Sequence, residues 1–353
     1  MIVLGIESSC DETACGIVRD GKELLANAVF SSMDLHVQYG GVVPEVAARS
    51  HIEVITGVIE QALEDAKLGW DDIDGIAVTY GAGLGMCLLA GVMTARTLAI
   101  AKDKPLYGIN HVEGHVYANF LTSTSLPGYV LPETAPAFPC LALIVSGTHS
   151  QLVVFRDHFD YTLLGQAQDD AIGEAFDKVA RMIGLPYPGG PSISRKAPEG
   201  NPQTFTLPKA KMPGKYDFSF SGVKTAVLRH AQAMCGKDFT FSSWLLPEAL
   251  NDAQKADIAA VFQRVAIETV VDKTIHAYEE FQPDSVVIAG GVASSPELRR
   301  QLRERLPIEI NYTDPKLCTD NGAMIAALGC YKMMHNQPTA DPYSLEIDPN
   351  LSM

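Results

Sequence analysis

The stretch Asp74-Gly-Ile-Ala-Val-Thr-Tyr-Gly-Ala-Gly-Leu-Gly85 decides the fold, because its plan returns at Asp284-Ser-Val-Val-Ile-Ala-Gly-Gly-Val-Ala-Ser-Ser295. Each copy begins with an acidic residue, runs through a short apolar strand and ends in a turn of small residues leading into a helix. The regions upstream also correspond. Residues 2–7 are apolar and β-branched, a polar turn follows at 8–13, and 14–18 reads as a second strand. In the later region a strand at 141–145 leads through a turn at 146–149 to a strand at 151–155. Asp20-Gly21 adds a hairpin signal before a strand at 24–30. Unrelated α/β units also resemble one another in outline. The duplication nevertheless predicts an α/β chain of two similar lobes with a central cleft.

Pro44 opens a helix reaching about residue 67, with Ile52, Ile55, Ile59, Ala62 and Ala66 at helical spacing. Further helices are expected at about 86–101, from 110 onward, and at 170–183, 256–280, 296–305 and 320–333. Further strands are expected at 75–80, 106–109 and 284–289. The segment 122–139 holds Pro127, Pro132, Pro136 and Pro139 and reads as a connection between lobes. The expected division is an N-terminal lobe at 1–125 and a C-terminal lobe at 140–335. The second lobe carries a proline- and glycine-rich insertion at about 185–245, and 336–353 is a tail.

A chain of 353 residues exceeds one ordinary core, and its 47% hydrophobic residues can fill two. No run reaches the ~18 uninterrupted apolar residues of a membrane span. Residues 1–7 lack the basic flank and cleavage site of a signal peptide. Seven scattered cysteines with no Cys-x-x-Cys pair point to reduced thiols and a cytoplasmic chain, not to disulfides or a cysteine zinc site. The net charge of −15 excludes a general nucleic-acid coat protein and confines RNA contact to one face, or to a face shared with a partner.

Three turns expose backbone N–H groups of the kind that bind phosphate oxygens: the turn after Glu7, which contains Ser9 and Glu12; Ser146-Gly147-Thr148-His149; and Gly290-Gly291. Each alone is also compatible with an ordinary hairpin. Neither a Walker lysine motif nor a Gly-x-Gly-x-x-Gly fingerprint is present. His111-Val-Glu-Gly-His115 sets two imidazoles one helical turn apart on one face, a spacing found in metal pairs and on plain helix surfaces alike. Glu113 sits about 200° around from His111, so it cannot serve as the base of an HExxH protease. Asp320, in Cys-Thr-Asp-Asn, is the best third oxygen donor. The run 169–178 carries four carboxylates at an expected helix start. Helix-dipole stabilisation accounts for the early ones and fades by Asp177.

Together these motifs resemble the TsaD family, bacterial relatives of the catalytic subunit of the archaeal and eukaryotic KEOPS complex. The resemblance runs from Gly5 to about Ala327. It passes through GIESSCDET at 5–13, the Pro-Glu-x-Ala-x-Arg-x-His run at 44–51, HVEGH at 111–115 and VSGTHSQL at 145–152. It continues through DDAIGEAFDKVARMIGLPYPGGP at 169–191, DFSFSGVKTA at 217–226, AGGV at 289–292 and CTDNGAMIA at 318–326. It implies the actin-like ATPase fold shared with sugar kinases and heat-shock ATPases. It implies transfer of a threonylcarbamoyl group from threonylcarbamoyl-AMP to the exocyclic N6 amine of the adenosine 3′ of the anticodon, in tRNAs reading codons that begin with A, with release of AMP. One ion, iron or zinc, would be held by His111, His115 and Asp320 at the lobe interface. Nucleotide positions would include Ile144, Val145, Ser146, Gly147, Thr148, Asp177, Gly190 and Ser295. The mixed anhydride is already activated, so no covalent nucleophile is expected, and Glu12 is the candidate catalytic group.

Three departures stand out. The family's Gly-Pro-Gly-Leu is Gly81-Ala82-Gly83-Leu84, its Ser-Gly-Gly-His is Ser146-Gly147-Thr148-His149, and Ser295 occupies the place of an asparagine. The resemblance also implies two helper subunits, an inactive TsaB-like paralogue and a small TsaE-like ATPase, with the helix at 44–68 as a docking face. Arg195, Lys196, Lys209, Lys211, Lys215 and Lys224 are the expected RNA contacts. A metal-dependent glycoprotein endopeptidase and a nucleotide-gated scaffold are the competing readings.

Overall fold

The computed structural model describes residues 1–353 and divides them into two compact units, Met1–Pro136 with Asn311–Met353, and Ala137–Ile310. In the first unit, strands β1 (Ile2–Glu7), β2 (Glu12–Arg19), β3 (Glu23–Ser31), β4 (Gly75–Gly81), β5 (Leu106–Asn110) and β6 (Ser123–Thr124) form one sheet in the order β5-β4-β1-β2-β3-β6. In the second, β7 (Cys140–Val145), β8 (Ser150–Asp157), β9 (Asp160–Gln166), β10 (Ser285–Ala289) and β11 (Ile310–Asn311) form the order β11-β10-β7-β8-β9. The pairings repeat as well. The first strand runs antiparallel to the second and parallel to the strand that ends in the glycine turn, Val3 opposite Gly75 and Ser285 opposite Cys140. The duplication read from residues 74–85 and 284–295 is therefore a duplication of sheet topology. Strand β9 escaped the sequence reading because its alternation is broken by Gly165.

The central strands are apolar along their whole length because both faces are covered. Leu4, Ile6, Ile17, Ile76 and Val78 are buried in the first unit; Leu141, Leu143, Val286 and Ile288 are buried in the second. Burial of each such side chain stabilises the fold by roughly 1.5–3 kcal/mol. On the first sheet lies the Gly322–Met334 helix, buried from Gly322 to Tyr331 and packed on β1 and β2. Its approach depends on glycine. A Cβ at Gly5 would overlap the backbone of Ala326, and one at Gly16 would overlap the backbone of Gly322 and Ala323.

That packing corrects the expected domain bounds. The last helix and the tail do not complete the lobe begun at 140; they return to the first unit, and the division falls at 136/137 and 310/311. The earlier boundary lies inside the proline-rich 122–139 segment. The later one is invisible in the sequence, because it depends on small residues of β1 and β2 lying 300 residues from the helix they admit. The insertion at about 185–245 is also more regular than expected, with helices at Gly189–Lys196 and Ser221–Met234. All seven cysteines are free thiols.

One helix, Gly85–Lys102, is long and apolar enough to cross a membrane by length and composition. Its apolarity has two separate sources. Cys87, Leu88, Val92, Ala95 and Ala99 face the core, while Met86, Leu89, Met93 and Ile100 are exposed.

Candidate functional site

The metal motif begins where β5 ends. Asn110 closes the strand, and its side-chain oxygen accepts from Val112 N at 2.9 Å, capping the His111–Tyr117 helix. The cap sets His111 in the first turn and His115 one turn on. Asp320 arrives from the other direction, just before the Gly322–Met334 helix. Asn321 caps that helix, accepting from Met324 N at 2.9 Å, and its amide donates to Thr319 O at 2.7 Å. The Cys-Thr-Asp-Asn motif is thus a rigid helix entry with one carboxylate pointing out of it.

The three side chains converge. Asp320 Oδ1 lies 3.6 Å from His111 Nε2 and 3.3 Å from His115 Nε2, and one ligand atom from each residue falls within 4.8 Å of the others. Donors at ~2.1 Å from a tetrahedral ion stand about 3.4 Å apart, so these spacings suit an ion. His115 supports the fit. It is buried, and neither ring nitrogen makes a hydrogen bond. A buried polar group without a partner is costly, and a cation at Nε2 would supply one. All three ligands belong to the first unit, which corrects the expectation that the two lobes share them.

Glu7 is the residue that sequence reasoning missed. It is fully buried at the end of β1, and its Oε2 accepts from Thr79 Oγ1 at 2.5 Å and lies 3.2 Å from His111 Nδ1. With Nδ1–H directed at this carboxylate, His111 presents Nε2 to the Asp320 side. Burial opposes charge on both partners. The His111 ring outweighs it at Glu7, holding that carboxyl below the usual range, and the Glu7 and Asp320 charges outweigh it at His111, pushing the ring up to about 9. Only the place of Glu7, last in a buried strand and first of the Glu-Ser-Ser turn, hinted at this part. Replacing Glu7 by glutamine is expected to weaken metal affinity about 10–100-fold, read by competition with a chelator. Unchanged affinity would show that Glu7 does not orient His111.

The remaining residues of the turn surround this pair. Ser9 Oγ lies 3.1 Å from His111 Nδ1, so Ser9, expected at the nucleotide, stands beside the candidate metal ligand His111. Glu12 is pushed up to about 9 by burial, with Asp320 and Asp11 adding to the rise. His51 explains its place in the 44–51 motif: its Nδ1 pairs with Thr13 Oγ1 at 2.7 Å and its Nε2 with Cys10 O at 3.0 Å, pinning the turn from both ends. The C-terminal tail reaches the same place. Asp348 N donates to Tyr80 O at 2.7 Å, and Asn110 Nδ2 donates to Ser352 O at 3.1 Å. Gly81 is needed there, because a Cβ would overlap the carbonyl of Asp348. Glu113 is buried away from these contacts. Burial pushes it up to about 7, and Lys332 is the charge that opposes the rise.

In the second unit the glycine turns meet at the carboxyl ends of the parallel pair β7 and β10, the usual ligand end of such sheets. Ile144 and Val145 are fully buried at the end of β7, so they can only support the turn that follows. Ser146 Oγ accepts from Thr148 N at 3.3 Å and His149 N at 3.0 Å, leaving Gly147 exposed at the tip. Gly290, at φ +88, lies against Val145 O, where a Cβ would stand 2.5 Å away. Gly291 opens the short turn Gly291–Ser294. Gly173 enters the helix Ile172–Met182 beneath this turn, its N donating to Ser146 O at 3.2 Å. An open concavity of about 450 Å³ beside the 291–294 turn is lined by Ser294, Pro296, Arg299 and Arg303, among others.

Other expected residues take structural work. Ser295 is the N-cap of Pro296–Arg305, accepting from Leu298 N at 3.4 Å. Asp177 Oδ1 accepts from Gly189 N at 2.6 Å and so holds the turn that carries Gly190. Of the acids before it, Glu174 lies in the first turn and suits the helix dipole, whereas Asp169 and Asp170 precede the helix, which starts only at Ile172. Asp169 accepts from Ser219 Oγ and Phe220 N, and Asp170 bridges Lys178 and Lys224. Four of the six expected RNA-binding cations are paired: Lys196 with Glu199 and Asp252, Lys209 with Glu268 and Asp272, Lys215 with Glu280, and Lys224 with Asp170. Arg195 and Lys211 are exposed without an ion pair.

A duplicated sheet topology with glycine turns at its strand ends, and a cluster of two buried histidines with the half-buried Asp320, define an α/β protein of the actin-like ATPase fold with a candidate mononuclear metal centre. Comparison with known proteins agrees. The family model "TsaD: tRNA N6-adenosine threonylcarbamoyltransferase" matches residues 23–327. A Thermomicrobium roseum protein named tRNA N6-adenosine threonylcarbamoyltransferase is 49% identical over 339 residues, 94% of this chain and 92% of its own. One of the same name from Desulfitobacterium hafniense is 46% identical over 355 residues, 99% and 97% of the two chains. The structure of T. kodakarensis HypF is similar in fold alone, with a TM-score of 0.58 at 13% identity, over 95% of this chain and 48% of that one. The chain belongs to the TsaD family of tRNA N6-adenosine threonylcarbamoyltransferases, and it is a transferase of tRNA processing.

Proposed function

We propose that the chain transfers the threonylcarbamoyl group of threonylcarbamoyl-AMP to the N6 amine of the adenosine 3′ of the anticodon, in tRNAs reading codons that begin with A. The observation that carries this reading is the convergence of buried His111 and His115 with half-buried Asp320 in a chain of this family. In the reaction the amine forms a C–N bond to the carbamoyl carbon, the C–O bond to phosphate breaks, AMP departs and the amine loses one proton. The residues fit iron or zinc, and either ion would supply a Lewis acid that stabilises oxygen charge. Gly147, Gly290 and Gly291 would approach the AMP phosphate by their backbone, Ser295 and Gly190 would border the nucleoside, and Asp177 would hold the Gly189–Gly190 turn in place. The amine's proton would pass to solvent, and Glu12, which keeps its own proton because its carboxyl is pushed up to about 9, would serve as a hydrogen-bond donor in the site. A cytoplasmic location is part of the proposal, supported by the tRNA-processing activity of the family.

The test combines purified metal-loaded chain, synthetic threonylcarbamoyl-AMP, an anticodon stem-loop, the TsaB-like paralogue and the TsaE-like ATPase. Mass analysis should show threonylcarbamoyladenosine and AMP in equal amounts. Intact substrates with all components present would overturn the reading. The endopeptidase alternative has less support, since the one carboxyl in the histidine motif is Glu113, set against Lys332.

The paralogue is assigned to the face made by two packed helices, Pro44–Ala66 and Gly85–Lys102. On the first only Ile52 is a large exposed apolar residue, at 70% exposure, so most of the apolar face comes from the second, through Met86, Leu89, Met93 and Ile100. Leu89→Asp with Met93→Asp should abolish co-elution with the paralogue, while the melting temperature shifts little because both side chains are exposed. A complex that survives would move the interface elsewhere.

A further inference from the structure

The surface of the second unit carries an aromatic cluster that neither the fold nor the metal site uses. Phe239 is 72% exposed and Trp244 is 74% exposed, with Phe241 between them in the chain. Each ring has its own cation. Arg229 stands 5.9 Å from the Phe239 centroid, Lys237 5.4 Å from Phe241, and Arg181 5.6 Å from Trp244. The backbone presenting the rings is held firmly. Gln232, 2% exposed, donates to Phe241 O at 2.7 Å, Arg229 donates to Phe239 O at 3.0 Å, and Asp238 Oδ1 accepts from Thr240 N at 2.9 Å. Leu246 and Leu250 anchor the following residues in the core. A fixed segment therefore holds the Phe239 and Trp244 rings outward, with Phe241 half-buried between them in the chain.

We propose that Arg181, Arg229, Lys237, Phe239, Phe241 and Trp244 form a stacking surface for unpaired bases of the RNA substrate. The proposal rests on tRNA as the substrate and adds the surface that receives it. Aromatic faces accept any base, and the adjacent cations meet the phosphates between bases. RNA recognition favours such unstacked loop bases over paired stems. Arginine and aromatic residues are enriched in protein interfaces too, so Lys237 at Phe241 is the residue that disfavours a protein-binding patch, lysine being depleted there. Charge agrees. In a chain of net charge −15, Arg181, Arg229 and Lys237 form no ion pair, whereas four of the six basic residues first expected to bind RNA are neutralised by carboxylates.

The chain has two tryptophans, so Trp70→Phe leaves Trp244 as the sole indole reporter. Titrating that complete chain with an anticodon stem-loop, or with a single-stranded oligoribonucleotide, should quench its fluorescence to a plateau. A fully paired RNA duplex should not. In filter binding at several salt concentrations, Phe239→Ala with Trp244→Ala should weaken stem-loop affinity about tenfold or more while keeping the salt slope. Arg181→Gln with Arg229→Gln should lower both, the slope by about one to two units. Stem-loop binding with no change in Trp244 emission, and unaltered in both double variants, would overturn the proposal. So would variants that keep RNA affinity but lose a protein partner. Failure of the transfer reading looks different: the wild-type assembly would then leave tRNA unmodified, whatever this surface binds.

Discussion

The His111→Ala/His115→Ala variant is expected to lose stoichiometric metal, with affinity reduced more than about 100-fold, since even outer partners of a metal site contribute 10–100-fold. Elemental analysis after dialysis against a chelator reads this directly, and unchanged metal content would end the assignment. The single variant His115→Ala is the cleaner probe of the two. His115 makes no hydrogen bond that the substitution removes, so its loss should act on the ion and cost the fold only the packing of a buried ring against His111. His111→Ala also strips Glu7 of its main partner and leaves a buried carboxylate poorly compensated. A lower melting temperature is therefore expected for all three variants, with the larger drop for His111→Ala and for the double variant.

Replacing Gly16 by alanine is expected to be among the most destabilising small changes in the first unit. The new Cβ meets backbone atoms of Gly322 and Ala323, which cannot rotate away as a side chain can. Overpacking typically costs 1–3 kcal/mol, and a backbone clash belongs at or above about 3 kcal/mol. Thermal unfolding should shift down by roughly 6–12 °C. Metal affinity should fall with it, because the displaced helix begins two residues after Asp320. Gly57→Ala, at an exposed helical position with open space around it, is the control and should be neutral or slightly stabilising. Equal behaviour of the two variants would refute the close-approach account.

The metal centre shows where sequence reading succeeds and stops. Helical spacing alone placed His111 and His115 on one face, because the period of the helix is a local property. Asp320 was reachable only by motif, since nothing local ties it to a helix 200 residues earlier. Glu7 was missed for a related reason. A glutamate ending an apolar strand looks like a polar boundary, and its role appears only once β4 brings Thr79 and the β5 helix brings His111 against it. The acids at 169 and 170 were misread in the opposite sense. They look like helix-dipole partners, but the helix starts later and they bind the 219–224 segment instead.

What the sequence determined by itself were the quantities set by neighbours along the chain. These are the strands and helices, the duplicated strand-turn-helix plan, the free thiols and the histidine pair, all consequences of backbone periodicity, turn chemistry and composition. The tertiary structure alone decided which unit owns the last helix, which carboxylate orients His111, which lysines are neutralised and which aromatic rings stay in water. Those outcomes depend on close approach between distant segments. Steric fit at Gly5 and Gly16 and the pairing of buried charge act through space, and no local pattern records them.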